Sequence, residues 1–271
     1  MNCNKKIGFI GAGNMASAII DGIISKNFAD SSDIYVFDII EQKLEEYKSR
    51  GINTVLHIKD LIISSDIIFL AVKPQNISEV LNEISLLNIG INNKIFVSIA
   101  AGISIDYIKS IIGTDKKVIR VMPNIPLLLG YGASALSYAE PVSLSEFETV
   151  LGVFKTSGIA EVLDESQMNS IISLNGSSPA FVYMFAKALI GGGVMQGIDE
   201  DIAASLVFQT ILGSAYMLIN SGETPQQLID RVSSPGGTTI AALNSFKSNN
   251  FNKIIENAML ACTKRADELG K

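Results

Sequence analysis

The sequence predicts a two-part α/β chain, a doubly wound parallel sheet followed by an all-α domain. From Lys5 to about Val162, short apolar runs alternate with segments of helical length; after about Asp164 the strand-like runs stop and only helical segments follow. The 271 residues are 48% hydrophobic and 18% charged, enough apolar side chain to bury a large core. The expected domains are 1–163 and 164–271.

In the first domain the expected strands are Ile7–Ile10, Ile34–Asp38, Asp66–Val72, Ile95–Ile99 and Val118–Met122. They are apolar nearly throughout, as strands covered by helices on both faces are. Met15–Lys26, Gln42–Ser49, Ile77–Leu87 and Ile105–Ile111 lie between them with helical length and partly amphipathic spacing. In the second domain Gln167–Ile172, Pro179–Met195, Asp201–Asn220, Thr224–Val232, Thr239–Lys247 and Phe251–Leu269 read as helices. Ser178 before Pro179 is a start signal, and Ser221-Gly222 ends the longest of them.

Composition removes several functional classes. A net charge of -6 argues against nucleic acid or an anionic membrane as partner, since either requires clustered Lys and Arg. Cys3 and Cys262 stand near opposite ends of the chain, with neither metal-ligand nor disulfide spacing, which fits a reducing cytoplasmic compartment. His57 is the single histidine, so no multi-histidine metal site and no Ser/His/Asp triad is expected, and His57 itself reads as a surface residue. No uninterrupted apolar run approaches the ~18–20 residues that span a bilayer. Lys5, Lys6 and Ala16-Ser17-Ala18 imitate a signal peptide, but Gly8, Gly11 and Gly13 break the stretch, which reads better as a first strand and its turn.

That turn is Gly11-Ala12-Gly13-Asn14-Met15-Ala16. Following a strand and opening a helix, it is a Rossmann-type dinucleotide-binding turn. Gly11 allows the tight bend, Gly13 lets a pyrophosphate approach the backbone, and Ala16 lets the helix pack closely. Asp38, ending the second strand, is placed to accept hydrogen bonds from the adenosine ribose. A carboxylate there leans towards NADH over NADPH, with Lys43 the nearest cation. Val72-Lys73-Pro74, Ala100-Ala101 and Asn124 end later strands, on the sheet edge where ligands of open α/β folds bind. Lys73 and Asn124 are either bonds to the nicotinamide and its ribose or plain loop residues.

Val232-Ser233-Ser234-Pro235-Gly236-Gly237-Thr238-Thr239 lies between two expected helices. With backbone N–H groups of Gly237 and Thr238 free, and hydroxyls from Ser234 and Thr239, it reads equally as an anion cradle or as a helix-capping turn.

Taken together, Gly8 to Ala16, Phe69 to Pro74, Ser98 to Gly102, Val121 to Asn124 and above all Ser234 to Thr239 resemble the pyrroline-5-carboxylate reductase family. The resemblance runs nearly the whole length. It implies a Rossmann domain followed by a helical dimerisation domain, and reduction of L-1-pyrroline-5-carboxylate to L-proline with NADPH or NADH and no metal. It also implies Thr239 as the residue meeting the ring nitrogen, and Val232, Ser234, Gly237 and Thr238 around the substrate. Gly11, Gly13, Asn14, Met15, Asp38, Val72, Lys73, Pro74, Ala100, Ala101 and Asn124 would face the cofactor. Ile125 and Ser178 depart from the family's usual Thr and Gly. Rival readings are a β-hydroxyacid dehydrogenase, for which Lys187 is the one candidate lysine, and a catalytically silent dinucleotide-binding protein.

Between Ser166 and Gly222 the only charged residues are Lys187, Asp199, Glu200 and Asp201. A helix apolar on every side is buried on every side. Pro179–Met195, with Gly191-Gly192-Gly193, and Asp201–Asn220 are therefore expected to pack against a second subunit, giving a homodimer or a ring of dimers.

Overall fold

The computed structural model describes residues 4–87 and 89–270; Cys3 lies outside them. Eight strands form one sheet: β1 (Ile7–Ile10), β2 (Ile34–Phe37), β3 (Asn53–Thr54), β4 (Ile67–Leu70), β5 (Ile95–Ser98), β6 (Lys117–Met122), β7 (Gly132–Tyr138) and β8 (Gly158–Val162). Their order is β3-β2-β1-β4-β5-β6-β7-β8. β1 to β6 run parallel; β7 is antiparallel to β6 and parallel to β8. The five expected strands are present. β3, β7 and β8 escaped the sequence pattern because two are rich in small and polar residues and one has only two residues.

The helices α1 (Asn14–Ser25), α2 (Gln42–Ser49), α3 (Ile58–Ser64), α4 (Ile77–Leu86), α5 (Ile105–Ile112) and α6 (Leu144–Lys155) accompany the sheet. Alternation along the strands divides the core between its faces. In β4, Ile67 and Phe69 join a cluster with Phe9, Ile19 and Phe154, while Ile68 and Leu70 join one with Phe96, Ile108 and Val118. Phe9 and Phe69 stack at 4.5 Å between ring centroids. Each such side chain contributes about 1.5–3 kcal/mol by burial.

The described residues up to Ser177, together with those from Leu260 onward, form one compact unit, and Ser178–Met259 form a second. Residues 164–177, expected with the helical domain, cluster with the sheet. In place of the expected helix Gln167–Ile172 they form a short 3-10 turn, Glu165–Gln167, and a π-helical segment, Ile172–Gly176.

The second unit holds α7 (Ser178–Met195), α8 (Glu200–Asn220), α9 (Pro225–Arg231), α10 (Thr238–Ser248) and the start of α11 (Phe251–Leu269). Asp199 caps α8 by accepting from the N–H groups of Asp201 and Ile202, and Gly222 takes a φ of 72° just past its end. Thr224 and Gln227 form a capping box on α9. Two stretches, Ile172–Met195 and Glu200–Asn220, are long and apolar enough to cross a membrane by length and composition. Run length missed them because Ser, Asn, Gly and Lys187 break the first run, and Ser, Gln, Thr and Gly the second, without making either helix polar. Ala186 and Ala203 are the only buried residues of α7 and α8 within the chain.

Candidate active site

The strand order reverses beside β1, so the crevice expected to take a ligand opens beyond the carboxyl ends of β1 and β4. The glycine turn stands there. Gly11 has a φ of 107°, its N–H donates to the Phe37 carbonyl at 2.7 Å, and a Cβ on it would lie 2.6 Å from the Ala71 carbonyl oxygen. Gly13 precedes α1 as its N-cap, and a Cβ there would meet nothing within 4 Å. No side chain caps α1 and no acidic residue occupies its first turn, so its N-terminal N–H groups, at Asn14 and Met15 among others, lie behind an open space. This cradle fits a dinucleotide pyrophosphate.

Asp38 is held from within the chain. Its Oδ2 accepts from the Ala12 N–H at 2.8 Å and from Lys43 at 3.3 Å, and its Oδ1 accepts from the Ile40 N–H at 2.9 Å. With its side chain only 9% exposed, the carboxylate staples the glycine turn to the end of β2. Asn124 is held likewise. Its Oδ1 accepts from the Ala133 N–H at 2.9 Å and its Nδ2 donates to the Asn175 carbonyl at 3.1 Å, so its buried carboxamide joins protein segments.

Lys73 is exposed, with Val72 and Pro74 half-buried beside it. Ala100 is buried and Ala101 half-buried after β5. Gly102, with φ 82°, serves packing: a Cβ there would lie 2.7 Å from the Ala266 carbonyl of α11. His57 is exposed, as expected of a surface residue.

Sequence reasoning missed Asn175 and Arg120. Asn175 Nδ2 donates to the carbonyls of Met122 and Ala133, at 2.7 and 2.9 Å, tying the π-helical segment to the ends of β6 and β7. Arg120, 4% exposed, donates to Asn169 and faces Glu165, while Asn169 donates to Asp267 at 2.7 Å. Burial draws the Arg120 guanidinium below its ordinary value, with Glu165 pulling the other way. For Arg120 the available signal was a charge inside the apolar run Val118–Met122, whereas Asn175 stands in the mostly polar stretch Ser173–Ser178 and carried none.

In the second unit the loop before α10 is built around its glycines. Gly236 takes a φ of 73°; Gly237 needs no special φ, but a Cβ on it would lie 2.6 Å from Ser234 Oγ. The Gly237 N–H, expected to be free, donates to the Ser234 carbonyl at 2.9 Å and closes the turn. The N–H groups of Thr238 and Thr239 lie in the first turn of α10, which no side chain caps. Ser234 and Thr238 are exposed, Thr239 is half-buried, and Val232 projects outward. A groove of about 870 Å³ beside the loop is lined by Phe185, Ile229, Ser233, Leu243, Phe246 and Phe251.

Residues 165–269 match the pyrroline-5-carboxylate reductase dimerisation family, and residues 6–102 match a family described as NADP oxidoreductase, coenzyme F420-dependent. The pyrroline-5-carboxylate reductase of Escherichia coli is 37% identical over 269 residues, 98% of this chain and 99% of that one. The chain belongs to the pyrroline-5-carboxylate reductase family. The pyrroline-5-carboxylate reductase of Methanosarcina acetivorans is 35% identical over 269 residues, 99% of each chain. The crystal structure of Plasmodium falciparum pyrroline carboxylate reductase with NADP bound matches with a TM-score of 0.90 at 31% identity, covering 100% of both chains. Against the family pattern expected from the sequence, Ile125 is half exposed where a Thr hydroxyl would stand, and Ser178 is the first residue of α7.

Proposed function

We propose that this chain reduces L-1-pyrroline-5-carboxylate to L-proline with NADPH or NADH. The observation that carries this is full-length membership of the reductase family combined with an intact Ser234–Thr239 loop at the uncapped start of α10. When bound, the reduced nicotinamide supplies a hydride to the imine carbon of the protonated ring and is itself oxidised, leaving the secondary amine of L-proline.

The chain's own residues bind and orient. N–H groups at Gly13, Asn14 and Met15 hold the pyrophosphate, with Gly11 shaping the turn. Val72, Lys73, Pro74, Ala100 and Ala101 line the strand-end edge for the nicotinamide and its ribose. Thr238 and Thr239 N–H groups, with the Ser234 hydroxyl, hold the substrate carboxylate; Gly237 keeps the cradle open and Val232 borders it. The ring N–H of the iminium donates to Thr239 Oγ1, which fixes the imine carbon. A protonated iminium is already a strong electrophile, so positioning suffices and no side-chain acid is required.

The working form is a homodimer, with a ring of such dimers as the larger assembly, in the cytoplasm. Along α7 and α8, Tyr183, Met184, Leu206, Phe208 and Leu212 are exposed within the single chain, which fits burial against a second copy. In a test, purified protein is given the substrate with NADPH or NADH. Substrate-dependent oxidation yielding proline is expected. Oxidation with 3-oxo acids in place of the imine, or none at all, would refute the proposal.

A further inference from the structure

Arg120 is buried at a cost that the chain offsets only in part. Strand alternation puts it on the same face of β6 as Val118, in the cluster with Ile105 and Ile108, and it is 4% exposed. Its Nη2 donates to Asn169, and its Nη1 stands 3.5 Å from Oε1 of Glu165. That oxygen is shared, since it also accepts from the Ile105 N–H at 2.6 Å where α5 begins. A guanidinium carries five N–H donors, so the rest of this one is unmatched among the described residues. A buried charge left in that state calls for a further acceptor.

The guanidinium borders a cavity of about 530 Å³, a volume typical of small-molecule sites. Asp106, Glu165, Asn169, Ser170 and Asp267 line it as well, and none of its lining residues belongs to the proposed dinucleotide or substrate sites. Asp267 accepts from Asn169 through Oδ1 at 2.7 Å, which leaves its Oδ2 open. The Asp106 carboxylate, in the first turn of α5, has no hydrogen bond or ion pair among the described residues. The cavity thus presents one buried guanidinium with spare donors and three carboxylates with spare acceptors.

We propose that this cavity binds a free α-amino acid with a cationic side chain. The carboxylate of the ligand takes the spare donors of Arg120, a pairing that guanidinium geometry favours. Its α-ammonium and its side-chain cation take Asp267 and Asp106. Other ligand classes match less of the wall. An anion meets three carboxylates, a plain diamine leaves Arg120 unmatched, and an amino acid with a neutral side chain leaves a carboxylate without a counter-charge. No group of three or more His, Cys, Asp or Glu among the described residues could hold a metal ion.

Isothermal titration calorimetry on the full chain, without dinucleotide or imine, tests this. L-Lysine and L-ornithine should bind at least tenfold more tightly than glycine, L-proline or 1,5-diaminopentane, which is lysine without its carboxylate, and L-glutamate should give no measurable heat. Asp267→Asn and Asp106→Asn should each weaken L-lysine on the order of tenfold, the usual worth of one charge-assisted hydrogen bond, at a melting temperature close to the wild type. Arg120→Lys should bring L-lysine down to the affinity of 1,5-diaminopentane; should that variant fail to fold, the two carboxylate variants decide. Three results would overturn the proposal: no binding of either cationic amino acid, equal binding of L-lysine and 1,5-diaminopentane, which marks a patch that attracts any cation, or L-lysine binding that survives both carboxylate substitutions, which places it at another site.

Discussion

Gly11 and Ala71 meet through bare backbone: a Cβ on Gly11 would stand 2.6 Å from the Ala71 carbonyl oxygen, on a residue that already holds a φ of 107°. Gly13, two positions on, has empty space where its Cβ would be. The two glycines should therefore fail differently. Gly11→Ala should cost about 1–3 kcal/mol of stability through strain and crowding, and lose dinucleotide binding with it. Gly13→Val should melt close to the wild type but bind dinucleotide at least tenfold more weakly, since only the ligand meets the added methyls. Thermal melts and binding titrations on both variants check this. A Gly13 variant that binds normally would remove the turn as the pyrophosphate seat.

The loop before α10 separates binding from turnover. A Cβ at Gly237 would lie 2.6 Å from Ser234 Oγ and 2.9 Å from its carbonyl oxygen, so Gly237→Val must open the turn. It should raise KM for the substrate with dinucleotide affinity unchanged. Thr239→Ala removes the proposed hydrogen bond to a charged ring nitrogen and should lower kcat by about 10–100-fold, again with dinucleotide affinity unchanged. Steady-state kinetics with unaltered kcat would take Thr239 out of the mechanism.

Glu146 supplies a pH dependence. Burial alone would raise its carboxyl, but hydrogen bonds from Lys117 and from the N–H and hydroxyl of Ser143 outweigh this and hold it below its ordinary value. A depressed carboxylate stabilises the fold above its unfolded pKa, about 4.3, and loses that contribution as pH falls through the lower folded value. Glu146→Gln should cost about 1 kcal/mol at neutral pH and flatten the decline in urea midpoint below pH 5. A parallel decline in both proteins would contradict this.

Much of this molecule was legible in the sequence because its signals are local. Apolar strands such as Ile67–Leu70 and the Gly11–Ala16 turn depend on period, glycine and neighbouring elements. The fates of Asp38 and Asn124 depend on partners far along the chain, Ala12 for one and Ala133 and Asn175 for the other. No pattern near Asp38 says whether its carboxylate is free. Likewise the Gly237 N–H is free or bonded according to how tightly the turn closes, which the string of residue types leaves open. β7, with Gly132, Ala133, Ser134 and Ser137, lacked the apolar weight of the central strands and gains its place by pairing with β6.

The outward face of α8 should be an interface. Phe208 is 59% exposed in the single chain, on a helix with almost no charge. Phe208→Glu should convert a dimeric wild type to a monomer of lower melting temperature, as read by sedimentation velocity. A wild type that stays a stable folded monomer at low micromolar concentration would exclude the dimer.

The most direct measurement follows the hydride. With L-1-pyrroline-5-carboxylate and NADPH carrying deuterium at both C4 positions, mass spectrometry of the product should find L-proline with one deuterium at C5. Absence of proline, or proline without deuterium, would contradict the proposed reaction.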